Sequence, residues 1–230
     1  MNSHCTYFII LACSAAGPLL LSFDKKVAFY KKWKYLFRAM LVPAILYICW
    51  DIYFTSTGIW LFNENRITGI KFFNLPVEEV FFFFIVPYCC VFIYECIRCY
   101  FPGFKNKRAG DAVLISLAIG LLLTGLICHD KYYTSWTFIF NAVFIAIIYL
   151  RRKYFKDFDA AVFLISWLII LIPFLVVNGF LTAIPVVLYN NAENLGIRIY
   201  TIPLEDIFYG MLLVLMNIVI YEKLKTGRRQ

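Results

Sequence analysis

Two stretches of this sequence place a proline, an aliphatic residue and two adjacent acids directly before a long apolar run. They are Pro76-Val77-Glu78-Glu79 and Pro203-Leu204-Glu205-Asp206. Paired carboxyl groups in a dry setting can deliver a proton and take one back, which is general acid–base chemistry. An apolar surrounding favours the neutral form of an acid and a helix N-terminus favours the ionised form, so such a pair can hold both forms at once. Four consecutive phenylalanines, residues 81–84, follow the first pair. On a helix Phe82 lies one turn beyond Glu78 and Phe83 one turn beyond Glu79, so both rings can flank whatever the acids protonate. Aromatic faces attract cations, and an acid between aromatic walls therefore suits a reaction that passes through a carbocation. A purely structural role also fits, since proline is common at the first helical position and acids are favourable in the first turn. That role does not account for two copies of the motif, each running at once into apolar helix, where ionisable groups are costly and tend to mark function.

The two copies belong to a longer internal echo. At a constant offset of 127 residues Thr55 matches Thr182, Asn63 matches Asn190, Gly69 matches Gly196, Pro76 matches Pro203, Glu78 matches Glu205, and Tyr94-Glu95 matches Tyr221-Glu222. An ungapped echo running from a loop into a helix is the mark of an internal duplication. The offset pairs Asp51 with Asn178 and places Asn63 and Asn190 in equivalent loops. With Phe82 and Phe83, these four polar residues are the expected substrate-binding set, and Glu78, Glu79, Glu205 and Asp206 the expected catalytic set.

The elements that hold these residues are membrane spans. Hydrophobic residues make up 63% of the 230 residues and charged residues only 16%, against roughly half and a quarter in soluble domains. No charged residue interrupts 120–127 or 160–192. The pattern predicts an all-α polytopic membrane protein with seven transmembrane helices, at about 5–23, 35–54, 76–97, 112–128, 136–150, 160–184 and 203–221. No Lys or Arg precedes the first apolar stretch, which argues against a cleaved signal peptide. Of the 22 Lys and Arg, all but Arg66, Lys71, Lys131 and Arg198 fall in the loops after spans one, three and five, near the start of span two (Arg38) or in the C-terminal tail. Basic loops stay cytoplasmic, so the N-terminus is expected outside and the C-terminus inside, in a cell inner membrane. The offset maps spans five, six and seven onto one, two and three and leaves span four unmatched. The expected organisation is therefore a first three-helix repeat at 1–100, a linking helix at 101–130 and a second, parallel three-helix repeat at 131–230. Both acid motifs then lie in the outer part of the bilayer. Glu95 and Glu222, beside the basic loops, are expected to pair with Lys and Arg.

The twin Pro-x-Glu-(Glu/Asp) motif in a seven-span chain resembles the membrane-integral lycopene β-cyclase family. In that family the cyclase occurs as two small subunits, as one fused chain, or as a domain of fungal proteins. The resemblance covers nearly the whole chain in its fused form. It implies closure of the ψ ends of lycopene into β-rings, giving γ- and β-carotene, with the motif carboxylates at Glu78, Glu79, Glu205 and Asp206 as the catalytic groups. It implies a lipophilic carotenoid substrate and contact with membrane lipid, with no cofactor, no metal and no nucleic acid, and it leaves the oligomeric state open. There is no GxGxxG to hold a dinucleotide, and Cys96 and Cys99 form a CxxC without the second pair a zinc site needs. The alternative is a small proton-coupled transporter of the same three-one-three architecture, although Val77 and Leu204 stand where those carriers show glutamine. An opsin is disfavoured because no lysine lies between Pro203 and Tyr221, and a prenyl transferase because Asp51 has no aspartate-rich neighbourhood.

The charge distribution generates a test. A single cysteine introduced into the C-terminal tail of a cysteine-free variant should resist membrane-impermeant maleimide in intact cells and react after permeabilisation. Labelling in intact cells would reverse the assigned orientation.

Overall fold

The computed structural model describes residues 4–103 and 107–226. Lys105 of the expected basic loop, and Arg228 and Arg229 of the tail, lie outside the described residues. The fold is helical: α1 (Thr6–Leu21), α2 (Trp33–Ser56), α3 (Val77–Tyr100), α4 (Lys107–Ile127), α5 (Tyr132–Leu150), α6 (Ala160–Ala183) and α7 (Leu204–Thr226). Six of them, α2 to α7, are long and apolar enough to cross a membrane. The first differs from expectation, being 16 residues instead of the predicted 5–23. At 1.5 Å per residue it is about 24 Å long, short of the hydrocarbon thickness. The helix ends because Ser22 turns back on Pro18 and Leu19, and Asp24 then accepts the amides of Lys26 and Val27.

The regions expected as plain loops contain six short strands: β1 (Trp60–Phe62), β2 (Lys71–Phe72), β3 (Leu75–Pro76), β4 (Val187–Tyr189), β5 (Arg198–Ile199) and β6 (Ile202–Pro203). β2–β3 and β5–β6 are miniature hairpins whose turns hold Phe73 and Tyr200 at φ values of 56° and 59°. Gly69 and Gly196, at φ 83° and 74°, enter them through backbone that favours glycine. Each hairpin leads into its helix through one bond, Val77 N–H to the Ile70 carbonyl at 2.9 Å and Leu204 N–H to the Ile197 carbonyl at 3.0 Å. β1 and β4 pair with each other, antiparallel, with Leu61 opposite Leu188. The amides of Asn63 and Asn190 donate to the carbonyls of Val186 and Ile59 on either side of that pair, both at 2.9 Å. Adding 127 to the bounds of α2, β1, β2 and β3 gives those of α6, β4, β5 and β6.

The helices that carry the acid motifs, α3 and α7, hold the most buried positions. α1 packs on α3 and α5 on α7, while α2 lies against α7 and α3. α4 packs on α5 and α6, approaching α6 where Gly110 meets Ala161 and α5 where Gly125 faces Phe138 and Ile139. Small residues at such crossings let helix backbones come close. Large apolar side chains such as Leu20, Ile127 and Ile172 point outward, as lipid-facing surface requires.

At the end of the bundle beside the basic loops, Glu95 and Glu222 meet basic partners, as their positions predicted. Glu95 bridges Lys32 at 2.5 Å and Lys225 at 2.6 Å and accepts from Tyr221 at 2.9 Å. Glu222 pairs with Lys225 at 2.6 Å and with Arg98. This clasp joins the segment before α2 to the ends of α3 and α7. Removing one partner of a buried ion pair leaves the others uncompensated. Glu95→Gln is therefore expected to lower stability by about 3 kcal/mol. Glu64→Gln, which breaks the exposed pair with Lys71, should change it by less than about 1 kcal/mol. Denaturant unfolding of the purified protein in detergent measures both, and equal effects would contradict the structural weight given to the clasp.

Candidate active site

Proline at 76 and 203 stops each hairpin and starts each helix, so the acids occupy the second and third helical positions. Adjacent helical residues point about 100° apart, and the two acids of each motif accordingly go different ways. Glu78 turns up to the loop, where one carboxyl oxygen accepts the Thr68 amide at 2.7 Å. Glu205 does the same, accepting the Leu195 amide at 2.8 Å and the Thr134 hydroxyl at 2.6 Å. Both side chains are fully buried. Glu79 and Asp206 instead face a cavity of about 50 Å³ between the two halves, which Asp51 and Asn178 also line.

Phenols surround these inward acids. Tyr7 donates to Glu79 at 2.5 Å, Tyr133 to Asp206 at 2.5 Å, Tyr189 to the other Asp206 oxygen at 2.8 Å, and Tyr209 to Asp51. Asp51 and Glu79 line the same cavity. Tyr189 lies on β4, outside the helices. Burial first, and the Asp206 charge second, push its hydroxyl well above the usual phenol range, so it remains a donor. Trp60 closes the outer side, its ring 5.1 Å from Tyr133 and 5.8 Å from Tyr209. The rings of Tyr133 and Tyr189 stack at 5.9 Å. The result is an enclosure of π-faces around three carboxyl groups, with no group of three or more His, Cys, Asp or Glu arranged to hold a metal among the described residues.

The structure brings together only part of the expected set. Glu79, Asp206, Asp51, Asn178 and Phe82 line one cavity. Glu78 and Glu205 adjoin it but face the loops. Phe83 is buried behind it, against Tyr47 at 5.5 Å. Asn63 and Asn190 do not reach it. Their side-chain oxygens close turns on the amides of Asn65 and Ala192, at 3.0 and 3.1 Å. The tyrosines and Trp60 were missed. The offset held a signal for two of them, because Phe82 maps onto Tyr209 and the cavity-lining Phe62 onto Tyr189.

A family model described as lycopene cyclase matches residues 4–97 and 130–224 of this chain. The chain is 30% identical over 130 residues to a bifunctional lycopene cyclase/phytoene synthase of Aspergillus niger, a match covering 54% of this chain and 21% of that protein. A protein of the same description from Pyrenophora tritici-repentis is 45% identical over 67 residues, covering 28% and 12% respectively. A lycopene beta-cyclase of Halobacterium salinarum is 38% identical over 87 residues, 35% of each chain. The matched stretches thus span about a fifth or less of the fungal proteins and about a third of the archaeal one. No solved structure matches.

The split between upward and inward acids predicts different consequences for structure. Glu205→Ala leaves the Leu195 amide and Thr134 hydroxyl without their acceptor and should cost about 2–5 kcal/mol. Hydrogen exchange should accelerate at Leu195 and its neighbours in this variant and stay slow there in Asp206→Asn. Acceleration in neither variant would show that Glu205 does not hold the loop.

Proposed function

The chain belongs to the lycopene cyclase family, and from that premise we propose that it closes the ψ ends of lycopene into β-ionone rings, giving γ-carotene and then β-carotene. The observation that carries this reading is a single cavity in which three carboxyl groups, phenol donors and aromatic faces converge. The reaction is an isomerisation. A carboxylic acid adds its proton to the terminal double bond and leaves a tertiary cation. The neighbouring alkene attacks that cation and forms the six-membered ring. A carboxylate then removes a proton from the ring and sets the β double bond, so the formula is unchanged and no oxidant is consumed.

Asp206 accepts two phenol hydrogens, from Tyr133 and Tyr189. It is assigned the counter-charge to the cation and the final base. Glu79 accepts one phenol and shares the cavity with Asp51, and it is assigned the proton donor, with Asp51 resupplying it. The walls of Phe82, Trp60 and Tyr209 hold the cation by their ring faces and keep out water that would trap it. Asn178 contacts the substrate within the same cavity. Glu78 and Glu205 act by fixing the loops over the site. Asn63 and Asn190 act further out, shaping those loops. Phe83 backs the cavity wall.

In the proposed membrane arrangement α1 is the first of seven spans, joining the six long helices, with the N-terminus outside, the C-terminus cytoplasmic, and an inner membrane as the host. Residues 1–100 and 131–230 form parallel three-helix repeats joined by a linker at 101–130, related by rotation about the membrane normal. The pairing of β1 with its counterpart β4, and the reciprocal bonds of Asn63 and Asn190, support a twofold relation of this kind. A carrier of the same layout finds no support in the family matches.

Expression in a lycopene-accumulating host, with pigments separated by chromatography, tests the activity. New one-ring and two-ring products are expected, and unchanged lycopene beside correctly folded protein would refute the reading. Because both inward acids serve one cavity, Glu79→Gln and Asp206→Asn should each suppress both rings, by about 100-fold or more. Accumulation of the one-ring product at the normal rate in both variants would show that each acid serves its own end of the substrate.

A further inference from the structure

Two apolar grooves flank the cavity, and the 127-residue offset relates them. The first lies among α1, α3 and α6, has a volume of about 170 Å³, and is lined by Ser14, Cys89, Pro173 and Val177. The second lies among α2, α5 and α7, has a volume of about 420 Å³, and is lined by Leu46, Trp50, Val143 and Met216. Leu46 is the counterpart of Pro173, Trp50 of Val177 and Met216 of Cys89.

Their relation to the acids differs. The first groove adjoins the cavity, with Phe82, Val86, Phe174 and Asn178 as walls common to both. The larger groove shares no lining residue with it. The cause is the residue at the equivalent position. Trp50 lies 5.1 Å from Tyr209, 5.0 Å from Phe140 and 5.5 Å from Tyr47, and Tyr47 also donates to the Tyr209 carbonyl at 2.8 Å. This aromatic wall separates the second groove from the site, whereas the smaller Val177 stands where the first groove adjoins it. Gly210 helps, since a Cβ there would come within 2.5 Å of the Phe174 ring that stands between cavity and groove.

We propose that the groove among α1, α3 and α6 holds the polyene chain of the substrate while one end group lies at Glu79 and Asp206. The proposal rests on the cyclase reading above and identifies where the rest of the molecule goes. The cavity of about 50 Å³ is too small for a ten-carbon end group and must widen toward the adjoining space. The groove follows α3 from Phe82 to Ile93, about 16 Å along the helix axis. It therefore receives an extended chain running across the membrane. Its lining contains no charged side chain, and the Ser14 hydroxyl is occupied by the Ile10 carbonyl, which suits a hydrocarbon with no polar group. Pro173 and its neighbour Ile172 are exposed at the groove mouth, so a membrane-dissolved substrate can enter from the side.

Bulk added to the groove tests this. Val177→Trp on α6 and Ser14→Trp on α1 fill it from opposite walls, and Val143→Trp fills the other groove. The first two are expected to reduce ring formation about 10-fold or more, with Val143→Trp within about twofold of the parent, at equal amounts of folded protein in the membrane. A second readout needs no turnover. Asp206→Asn purified from a lycopene-accumulating host should carry lycopene absorbance, and adding Val177→Trp or Ser14→Trp should remove it. Retained cyclisation and retained pigment in both groove variants would overturn the proposal, as would selective loss in Val143→Trp. If the parent makes no cyclic product the cyclase reading falls, and the pigment comparison still decides whether this groove binds a polyene.

Discussion

Carboxyl groups buried at the end of an apolar helix bundle must find hydrogen-bond donors inside the protein, and most of the architecture around the motifs meets that demand. A buried acid without partners costs several kcal/mol. Two of the five acids take backbone amides from their own loops, at Thr68 and Leu195. The other three take phenols from α1, α5, α7 and β4. Both solutions need the hairpins and the β1–β4 pair to be where they are, since these set the height of the loops and carry Tyr189 over the site. The strands are too short to matter as a sheet, and their role is to place donors.

The same constraint explains why each motif has two acids. Neighbours on a helix cannot face one direction, so a Glu-Glu or Glu-Asp step supplies one group to the loop and one to the interior. The upward acid, at 78 or 205, fixes the approach of the chain to the helix. The inward acid, at 79 or 206, is thereby presented at a constant depth. Read as a pair of equivalent catalysts, the motif gives four interchangeable carboxylates. With directions assigned, it gives two groups that face the cavity and two that hold the loops.

Much of the fold was legible because duplication and hydropathy are linear properties. The offset alone relates the bounds of α2 and α6 and the starts of α3 and α7, and runs without charge marked the long helices. The first span was drawn too long because its apolar composition continues past Leu21, while its end is decided by the turn at Ser22 and Asp24. The two-residue strands had no periodicity to read. In the site, Asp51, Asn178, Glu79 and Asp206 were legible from the echo, and Phe82 from its place one turn beyond Glu78. Tyr7 and Tyr133 were not, because the offset aligns Tyr7 with Thr134 and Tyr133 with Thr6. The two tyrosines are one residue out of register and reach their acids from neighbouring helical positions. Asn63 and Asn190 recur at equivalent places because each closes a turn, a local demand that duplicates as faithfully as a binding role.

A cavity between two related halves cannot itself be duplicated. If the halves are related by a twofold axis, as proposed, both inward acids reach one space at that axis, and several pairs of counterparts line it, among them Glu79 with Asp206, Asp51 with Asn178, Phe82 with Tyr209 and Trp60 with Val187. Identical halves would give two equal acids and two equal grooves, and a reaction that needs one donor and one acceptor would have nothing to tell them apart. The substitutions between the halves remove that equality. Asn178 in place of a second aspartate leaves Asp51 without a carboxyl counterpart in the cavity. Tyr189 in place of a second phenylalanine gives Asp206 an additional donor. Trp50 opposite Val177 sets one groove against the cavity and walls off the other. Duplication thus supplies the enclosure, and divergence at a few paired positions gives it a direction.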